Sequence, residues 1–245
     1  MKTSSSALLP FLAKLEGYGR LPADDREALL QLPHSQRTLA RSGHILREGE
    51  SATTCCVILD GYACRHKILP NGSRQILSVH MKGDGVDLQN AFIPVPDYNL
   101  QTLTATEVAL IPAAAIAEIM ASRPAIARAF FIEMLLDAAI QREWTVNVGR
   151  RDARTRIAHF LCELGVRCET AHTGERMRYP FPITQEHVAD VTGLTPVHVN
   201  RVFQSLRADD LLATGDRSLV VKDWPALAAA GGFRSDYLNP VRGIG

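Results

Sequence analysis

Three polar side chains near the C-terminal end of the chain carry groups that can contact DNA bases. Asn200, Arg201 and Gln204 supply two amides and a guanidinium within one short stretch. In the major groove, Asn and Gln pair with adenine and Arg pairs with guanine. The opposite side of the same predicted helix has apolar residues at i, i+3, i+4 and i+7, which are Val199, Val202, Phe203 and Leu206. The pattern therefore predicts a helix that is buried on one side and contacts DNA with the other.

The residues around this helix predict how it is positioned. Thr195 suits the N-cap and Pro196 the first helical position, where the missing N–H has no partner to lose. A preceding short helix begins after Thr184 and ends at Gly193, where a left-handed conformation is expected. Together they predict a helix-turn-helix with Thr195–Asp209 as the recognition helix. The predicted DNA contacts of this helix-turn-helix are Thr184, Thr195, Val197, His198, Asn200, Arg201 and Gln204.

Two short β segments follow the recognition helix. Leu211–Thr214 and Ser218–Lys222 flank a tight turn at Gly215 and Asp216, which is typical of the wing of a winged helix. Arg217 lies at the tip, where a phosphate contact is expected. An ordinary helical hairpin with a solvated polar face remains the alternative for the whole segment.

The stretch ITQEHVADVTGLTPVHVNRVFQSLRADDLL, Ile183–Leu212, resembles the helix-turn-helix of the Crp/Fnr family of bacterial transcription regulators. It retains Thr195, Val199 and Arg201 of the family pattern, and the resemblance implies that Arg201 contacts a base. Pro196 and Val197 stand where the family commonly has a base-contacting Arg and Glu. The resemblance therefore implies the DNA-binding fold without implying the family's usual operator sequence.

A β-rich region precedes a long helix. Glycines break it into short apolar runs, and Pro70-Asn71-Gly72 is a strong hairpin signal. The predicted strands are Arg37–Leu39, Cys55–Leu59, Ala63–Leu69, Arg74–His80 and Leu100–Ile111. Short strands with regular turns predict a small barrel or jelly roll.

The glycines of this region resemble those of the cyclic-nucleotide-binding β-roll of Crp/Fnr proteins. The matching segments are GHILREGE (Gly43–Glu50), VILDG (Val57–Gly61) and GDGVD (Gly83–Asp87). Cyclic-nucleotide binders of the family carry a Gly-Glu-Leu segment for the ribose and an Arg for the phosphate.

The corresponding ligand residues are missing. The first segment is Val86-Asp87-Leu88-Gln89, Asp97 stands near the second, and no arginine occurs between Gly83 and Ile111. Since a buried phosphate needs a cationic partner, the β-roll is expected not to bind cyclic AMP.

A short helix from Pro112 to about Ser122 is followed by a long one from Pro124 to about Val148. Its middle, Ala129–Ile140, is apolar nearly all round, so it must be buried on more than one side. The resemblance implies a parallel two-fold dimer through Phe130, Phe131, Met134, Leu135, Ala138 and Trp144. Two recognition helices about 34 Å apart would then require a near-palindromic site. A central helix in a monomer is the alternative.

Composition limits the remaining possibilities. The 245 residues have 46% hydrophobic content and a net charge of +1, with 13 Lys and Arg against 11 Asp and Glu from Gly149 onward. DNA affinity must therefore come from local placement of cations. No signal peptide or membrane-spanning stretch is predicted, and the five cysteines are expected to be reduced thiols.

Catalysis, metal binding and cofactors are not predicted. No nucleotide loop or nucleophile motif occurs, and Cys64 with His66 on one strand face supplies only two of the ligands that a metal site needs. Adjacent Cys55 and Cys56 are expected to be core residues. His159 and His187 are interpreted as surface or DNA-proximal residues.

The sequence as a whole predicts an α+β protein with a β-roll (jelly-roll) sensor domain, residues 1–122, a dimerisation helix, residues 123–148, and a winged helix-turn-helix domain, residues 149–245. Gly149–Asp152 is the predicted hinge. The predicted function is a cytoplasmic, homodimeric transcription regulator of the Crp/Fnr type. Its expected partners are double-stranded DNA, RNA polymerase and a small-molecule effector of unknown identity. The alternatives are a ligand-independent regulator and a protein-interaction module with a degenerate helix-turn-helix.

Overall fold

The computed structural model describes residues 7–168, 172–173, 176–215 and 217–238, and the chain forms two compact units. The first unit comprises Met1–Ile68 and Leu77–Ala138, and the second comprises Leu69–Ile76 and Ala139–Gly245. Asp216 of the predicted wing turn lies outside the described residues. The predicted α+β architecture of β-roll, long helix and winged helix-turn-helix is confirmed.

The first unit consists mainly of two four-stranded sheets, in the orders β1-β8-β3-β6 and β2-β7-β4-β5. The strands are β1 Ser35–Leu39, β2 His44–Leu46, β3 Thr54–Asp60, β4 Tyr62–Ile68, β5 Arg74–Met81, β6 Gly85–Val86, β7 Asn99–Thr102 and β8 Thr106–Pro112. The helices are α1 Leu9–Glu16, α2 Ala23–Leu30, α3 Ala113–Ser122 and a short 3-10 helix, Leu88–Ala91. Residues of both sheets share one apolar core, which includes Ile58 of β3 and Leu100 of β7.

The cysteine pair in β3 divides between two cores. Successive strand residues point to opposite faces. Cys56 accordingly joins the core between the sheets, while Cys55 joins a second core with Phe11 of α1 and Phe130. Burial raises the pKa of the Cys55 thiol to about 12, so it stays protonated at neutral pH. Among the described residues, no group of three or more His, Cys, Asp or Glu side chains is placed to hold a metal ion.

The predicted strand Leu100–Ile111 is wrong in one respect, because the structure divides it. The first part, β7, belongs to one sheet and the second, β8, to the other. At the crossover the Leu103 and Thr104 amides both donate to the Tyr62 carbonyl, at 2.8 and 3.4 Å. The chain therefore needs a turn here, although the apolar pattern continues through it.

The long helix α4, Pro124–Arg150, runs further than predicted. Gly149 and Arg150 of the predicted hinge are helical, and only Arg151 and Asp152 lie outside helices. The two compact units divide between Ala138 and Ala139, within α4. The Asp152 side chain accepts a hydrogen bond from the Thr155 amide, 2.9 Å away, and this cap begins the next helix as predicted.

Two residues assigned to the dimer face of α4 are interior instead. The Phe130 ring is fully buried against the Phe11 ring, with the centroids 5.5 Å apart. Trp144 is also buried, and its indole N–H donates to the Glu163 carboxylate at 2.9 and 3.0 Å. Phe131 and Leu135, by contrast, are exposed. Apolar character alone could not distinguish these two sides.

The second unit surrounds a four-stranded sheet in the order β11-β12-β10-β9. Its elements are α5 Ala153–Arg167, β9 His172–Thr173, β10 Arg176–Pro180, α6 Gln185–Thr192, α7 Pro196–Ala208, β11 Leu212–Gly215, β12 Ser218–Val221, α8 Trp224–Gly231 and a 3-10 helix, Ser235–Leu238. No helix of the described residues is long and apolar enough to cross a membrane.

The interpretation of His159 and His187 as surface or DNA-proximal residues is wrong, since both are buried. His187 completes the cap of α6. The His159 ring lies between the Gly231 carbonyl and the Tyr237 hydroxyl, each 3.2 Å from a ring nitrogen. A Cβ on Gly231 would lie 2.6 Å from the His159 backbone nitrogen, so this close approach requires glycine. The imidazole of α5 therefore helps to hold the segment from Gly231 to Tyr237 against that helix through hydrogen bonds.

Burial lowers the pKa of His159 to about 4, and the nearby Arg151 acts in the same direction. An unfolded histidine titrates near pH 6.5, so below that pH the unfolded chain binds a proton that the folded protein excludes. We expect the free energy of unfolding to fall by up to about 3 kcal/mol between pH 6.5 and 4 from this group. Denaturant titrations at several pH values should show that the free energy of unfolding depends less steeply on pH in His159→Gln than in the wild type.

His198→Gln removes an exposed histidine from the same unit and is the matched control. Its denaturant titrations over the same pH range are the reference for His159→Gln. Equal pH dependence in wild type and His159→Gln would contradict the assignment.

Candidate functional site

The helix-turn-helix is fixed by its caps. The Thr184 hydroxyl accepts from the His187 amide, and the His187 ring accepts from the Thr184 amide, which completes a capping box at the start of α6. Gly193 ends α6 with φ of +65°. The Thr195 hydroxyl accepts from the His198 amide at 3.3 Å and begins α7. The predicted caps and turn are confirmed, and they set the angle at which α7 leaves the turn.

The tip of the β4–β5 hairpin supports α6. Leu69–Ile76 belongs to the second unit, and Arg74 forms an ion pair with Asp190 of α6 at 2.6 Å. The Gln75 amide donates to the carbonyl oxygens of Asp190 and Val191, at 2.8 and 3.2 Å. Carbonyls at a helix C-terminus lack partners within the helix. The hairpin tip therefore satisfies carbonyls just before the turn of the helix-turn-helix.

The two sides of α7 are divided as predicted. The four apolar residues of the inner side are at most 7% exposed. On the outer side Val197, His198, Arg201 and Gln204 are exposed. Asn200 is only partly exposed, and its amide donates to Gln185 at the start of α6, 3.1 Å away. The outer side thus presents a guanidinium, an amide and an isopropyl group together.

A shallow depression runs along α7 and includes an arginine that sequence reasoning missed. Arg154 of α5 lines it together with Thr195, Val197, His198, Arg201, Val202 and Ser205. The Arg154 guanidinium donates to the Ser205 hydroxyl at 2.5 Å and pairs with Asp209 at 2.6 Å. No local pattern links residues this far apart in sequence, so only the fold could identify this contact.

The wing and the neighbouring strand β10 carry further cations. Arg217 is exposed at φ of +48°, and its carbonyl accepts from the Phe181 amide at 2.8 Å. Arg178 on β10 is also exposed and donates to the Ser218 hydroxyl at 3.1 Å. Exposed cations of this kind position a protein on phosphates without specifying sequence. Arg178 was not among the predicted contacts.

The interior of the β-roll contains a cation that the sequence did not place there. Arg65 of β4 is 8% exposed, and its Nε donates to Asp87 at 3.2 Å while its Nη1 pairs with Asp137 of α4. The Tyr98 ring lies 5.1 Å from the guanidinium, and the Tyr98 hydroxyl donates to Asp87 at 2.6 Å. The guanidinium therefore has two carboxylate partners from the chain itself.

Asp97, which stands near the second ligand segment in the sequence, does not line the interior of the β-roll. This carboxylate is 82% exposed and pairs with Lys67 at 3.1 Å, outside the β-roll. The acidic group that does occupy the interior is Asp87, of which only 2% of the side chain is exposed.

Two family models match the chain. The model for the cyclic nucleotide-binding domain matches residues 36–123, and the model for the Crp-like helix-turn-helix domain matches residues 155–230. Nitrogen fixation regulation protein FixK of Bradyrhizobium diazoefficiens is 28% identical over 194 residues, which cover 77% of this chain and 79% of that protein. Transcriptional activator protein FnrL of Cereibacter sphaeroides is 26% identical over 202 residues, which cover 80% of each.

A solved structure shows the same fold. FixK2 from Bradyrhizobium japonicum superposes with a TM-score of 0.72 at 23% identity, covering 81% of this chain and 98% of that one. A β-roll followed by a long helix and a capped, winged helix-turn-helix defines a DNA-binding transcription regulator. The chain belongs to the Crp/Fnr family of these regulators.

Removing Arg65 tests how the buried charges are balanced. Arg65→Met leaves Asp87 buried without its cation, and we expect the free energy of unfolding to fall by about 3 kcal/mol or more. Lys67→Met, on the same strand, breaks only exposed pairs, with Asp97 and Glu48, and should cost about 1 kcal/mol or less. Denaturant unfolding of both variants measures the difference, and equal losses would contradict a buried network.

Proposed function

We propose that this regulator binds a specific, near-palindromic DNA site as a homodimer and does not respond to cyclic AMP. The observation that carries the proposal is the outer side of α7, where Val197, Arg201 and Gln204 are exposed over a fully packed inner side. Side chains held in this way can discriminate bases. The exposed Arg217 and Arg178 supply phosphate contacts.

The dimer is supported by the exposed side of α4. Phe131, Leu135, Ala138, Arg142 and Thr145 are all exposed and alternate at intervals of four and three residues. This is the spacing of a two-helix seam, in which each helix covers the other. Leu135 is 63% exposed and Phe131 is 54% exposed, values that a partner helix would lower. Met134 is only partly exposed and borders the seam.

Insensitivity to cyclic AMP is supported by the Arg65 network. A cyclic phosphate would have to displace Asp87 or Asp137 from the guanidinium, leaving a carboxylate without its cation. The cost of a buried, unpaired carboxylate opposes that exchange. An effector, where one acts, would need different chemistry.

The FnrL relative is named a transcriptional activator, which supports a role in activating transcription. We propose RNA polymerase as a partner and the cytoplasm as the location. A different class of function, a protein-interaction module with a degenerate helix-turn-helix, is favoured by one observation. Pro196 and Val197 replace two residues that commonly contact bases in the family. The two functions differ in salt dependence, because DNA binding weakens steeply as counterions increase.

Selection of bound sites from a random duplex pool, with the purified full-length chain, tests the proposal. We expect a near-palindromic consensus that is unchanged when cyclic AMP is added. A consensus that forms only with cyclic AMP would contradict the ligand claim. The absence of any enriched sequence, with weak salt dependence of binding, would favour the interaction module.

Two arginines should affect binding differently. Arg201→Ala removes a base contact, so we expect a loss of about 1–3 kcal/mol on the selected site and little loss on random DNA. Arg217→Ala removes a phosphate contact, so it should weaken both DNAs evenly and lower the salt slope by about one. Fluorescence anisotropy with both duplexes, over a range of salt, measures this. The two assignments would be rejected by indistinguishable losses on both duplexes.

A charge on the α4 seam should prevent dimer formation. Leu135→Glu would bury two like charges against each other, so we expect monomers at micromolar concentration by analytical ultracentrifugation. Ile93→Glu alters a residue that is equally exposed, at 63%, outside α4 and serves as the control. A dimeric Leu135→Glu variant would show that the seam is not the interface.

A further inference from the structure

Val197 is unusual on the outer surface of the DNA-binding unit. Its side chain is 64% exposed, and among the described residues of α5 and everything after it no other large aliphatic or aromatic side chain is exposed to this degree. Its neighbours on the depression include Thr195, His198 and Arg201, which are polar. Covering this exposed apolar group with another apolar group removes its surface from water, which is favourable.

The helix places Val197 at the centre of the outer side. At 3.6 residues per turn, Val197, Arg201 and Gln204 point within about 60° of one another. The buried Val199 and Leu206 point the opposite way. Val197 is also the second residue of α7, and the first turn of a recognition helix is the part that enters deepest among the base edges. It therefore faces the bases rather than the sugar-phosphate backbone.

The side chain is also held in place before DNA arrives. Thr195 caps the helix two residues earlier, and Pro196 fixes the backbone next to Val197. A β-branched side chain in a helix has one strongly preferred rotamer. Little conformational entropy remains to be lost on binding, so even a small contact contributes to affinity.

We propose that Val197 contacts the C5-methyl group of a thymine and so selects a T·A pair in each half-site. Thymine is the base that presents a methyl group in the major groove. Cytosine presents only a C5 hydrogen at that place, and a purine edge would set a donor or acceptor against the isopropyl group and lose its hydrogen bond to water. This inference rests on the proposed DNA-binding function and names the base that one residue selects.

The position of that thymine follows from the helix. Val197 and Arg201 are about 6 Å apart along the axis, at 1.5 Å per residue. Base pairs are stacked about 3.4 Å apart. The thymine therefore lies within about two base pairs of the guanine that Arg201 contacts.

The decisive experiment removes the methyl group from DNA and leaves the protein unchanged. After site selection, each thymine of one half-site is replaced in turn by deoxyuridine, and the affinity of the wild-type full-length chain is measured. One thymine near the Arg201 guanine should lose about fourfold in affinity, which corresponds to about 0.8 kcal/mol for one buried methyl-sized group.

Three variants assign the effect to Val197. Val197→Ala should bind the thymine and deoxyuridine duplexes equally at that position. Arg201→Ala is the matched control on the same side of the helix, and it should keep the methyl dependence while losing guanine preference. Val197→Glu introduces an acceptor, which should move the preference at that position from thymine to cytosine, because a carboxylate accepts from the cytosine amino group.

The outcomes separate this inference from the proposed function. A selected consensus in which no thymine shows a methyl effect, or in which Val197→Ala retains the effect, overturns the role of Val197 and leaves DNA recognition intact. Absence of any selected consensus overturns both. Because Val197 is exposed, its variants should unfold at the wild-type temperature, and the deoxyuridine result does not depend on them.

Discussion

The burial of one side of α7 is the constraint on which the DNA-binding surface depends. Val199, Phe203 and Leu206 are packed in the second unit, so the helix cannot rotate without exposing them to water. Phe203 packs near the Phe181 ring, with centroids 6.4 Å apart, and so connects α7 to the segment that enters α6. With the inner side fixed, the outer side is fixed too. The choice of residues there then alters recognition at little cost in stability.

A second constraint acts on α4 in the first unit. Two acids in the part of α4 that belongs to the first unit, Glu133 and Asp137, are one helical turn apart, and each pairs with a cation from another element. Lys14 of α1 reaches Glu133 at 2.8 Å, and Arg65 of β4 reaches Asp137. In the sequence these acids only interrupt an apolar helix. In the fold they lie on the side of α4 that packs within the first unit. Leu135 and Phe131 lie on the other side and are exposed.

Local signals in the sequence predicted the helix-turn-helix well, because caps and turns depend on residues close together. Thr184, Gly193 and Thr195 all have the conformations expected of them. Contacts between distant segments were missed for the opposite reason. Arg65 reaches Asp87 from a different strand, and Arg154 reaches α7 from another helix. The burial of His159 could likewise not be predicted, since it depends on contacts with Gly231 and Tyr237, far along the chain.

The fold tolerates the departure from the family pattern at Pro196 and Val197, because the residues that position α7 are not the residues that face the bases. Thr195 and Gly193 set the geometry of α7 through backbone contacts, and neither uses the side chains that follow. Proline at the first helical position keeps that geometry, because its missing N–H would have no partner there. The family scaffold can therefore persist while the base-facing residues change. If Val197 contacts a thymine methyl group and Arg201 a guanine, as we propose, the outer side of α7 requires an operator in which these two bases lie within about two base pairs of each other.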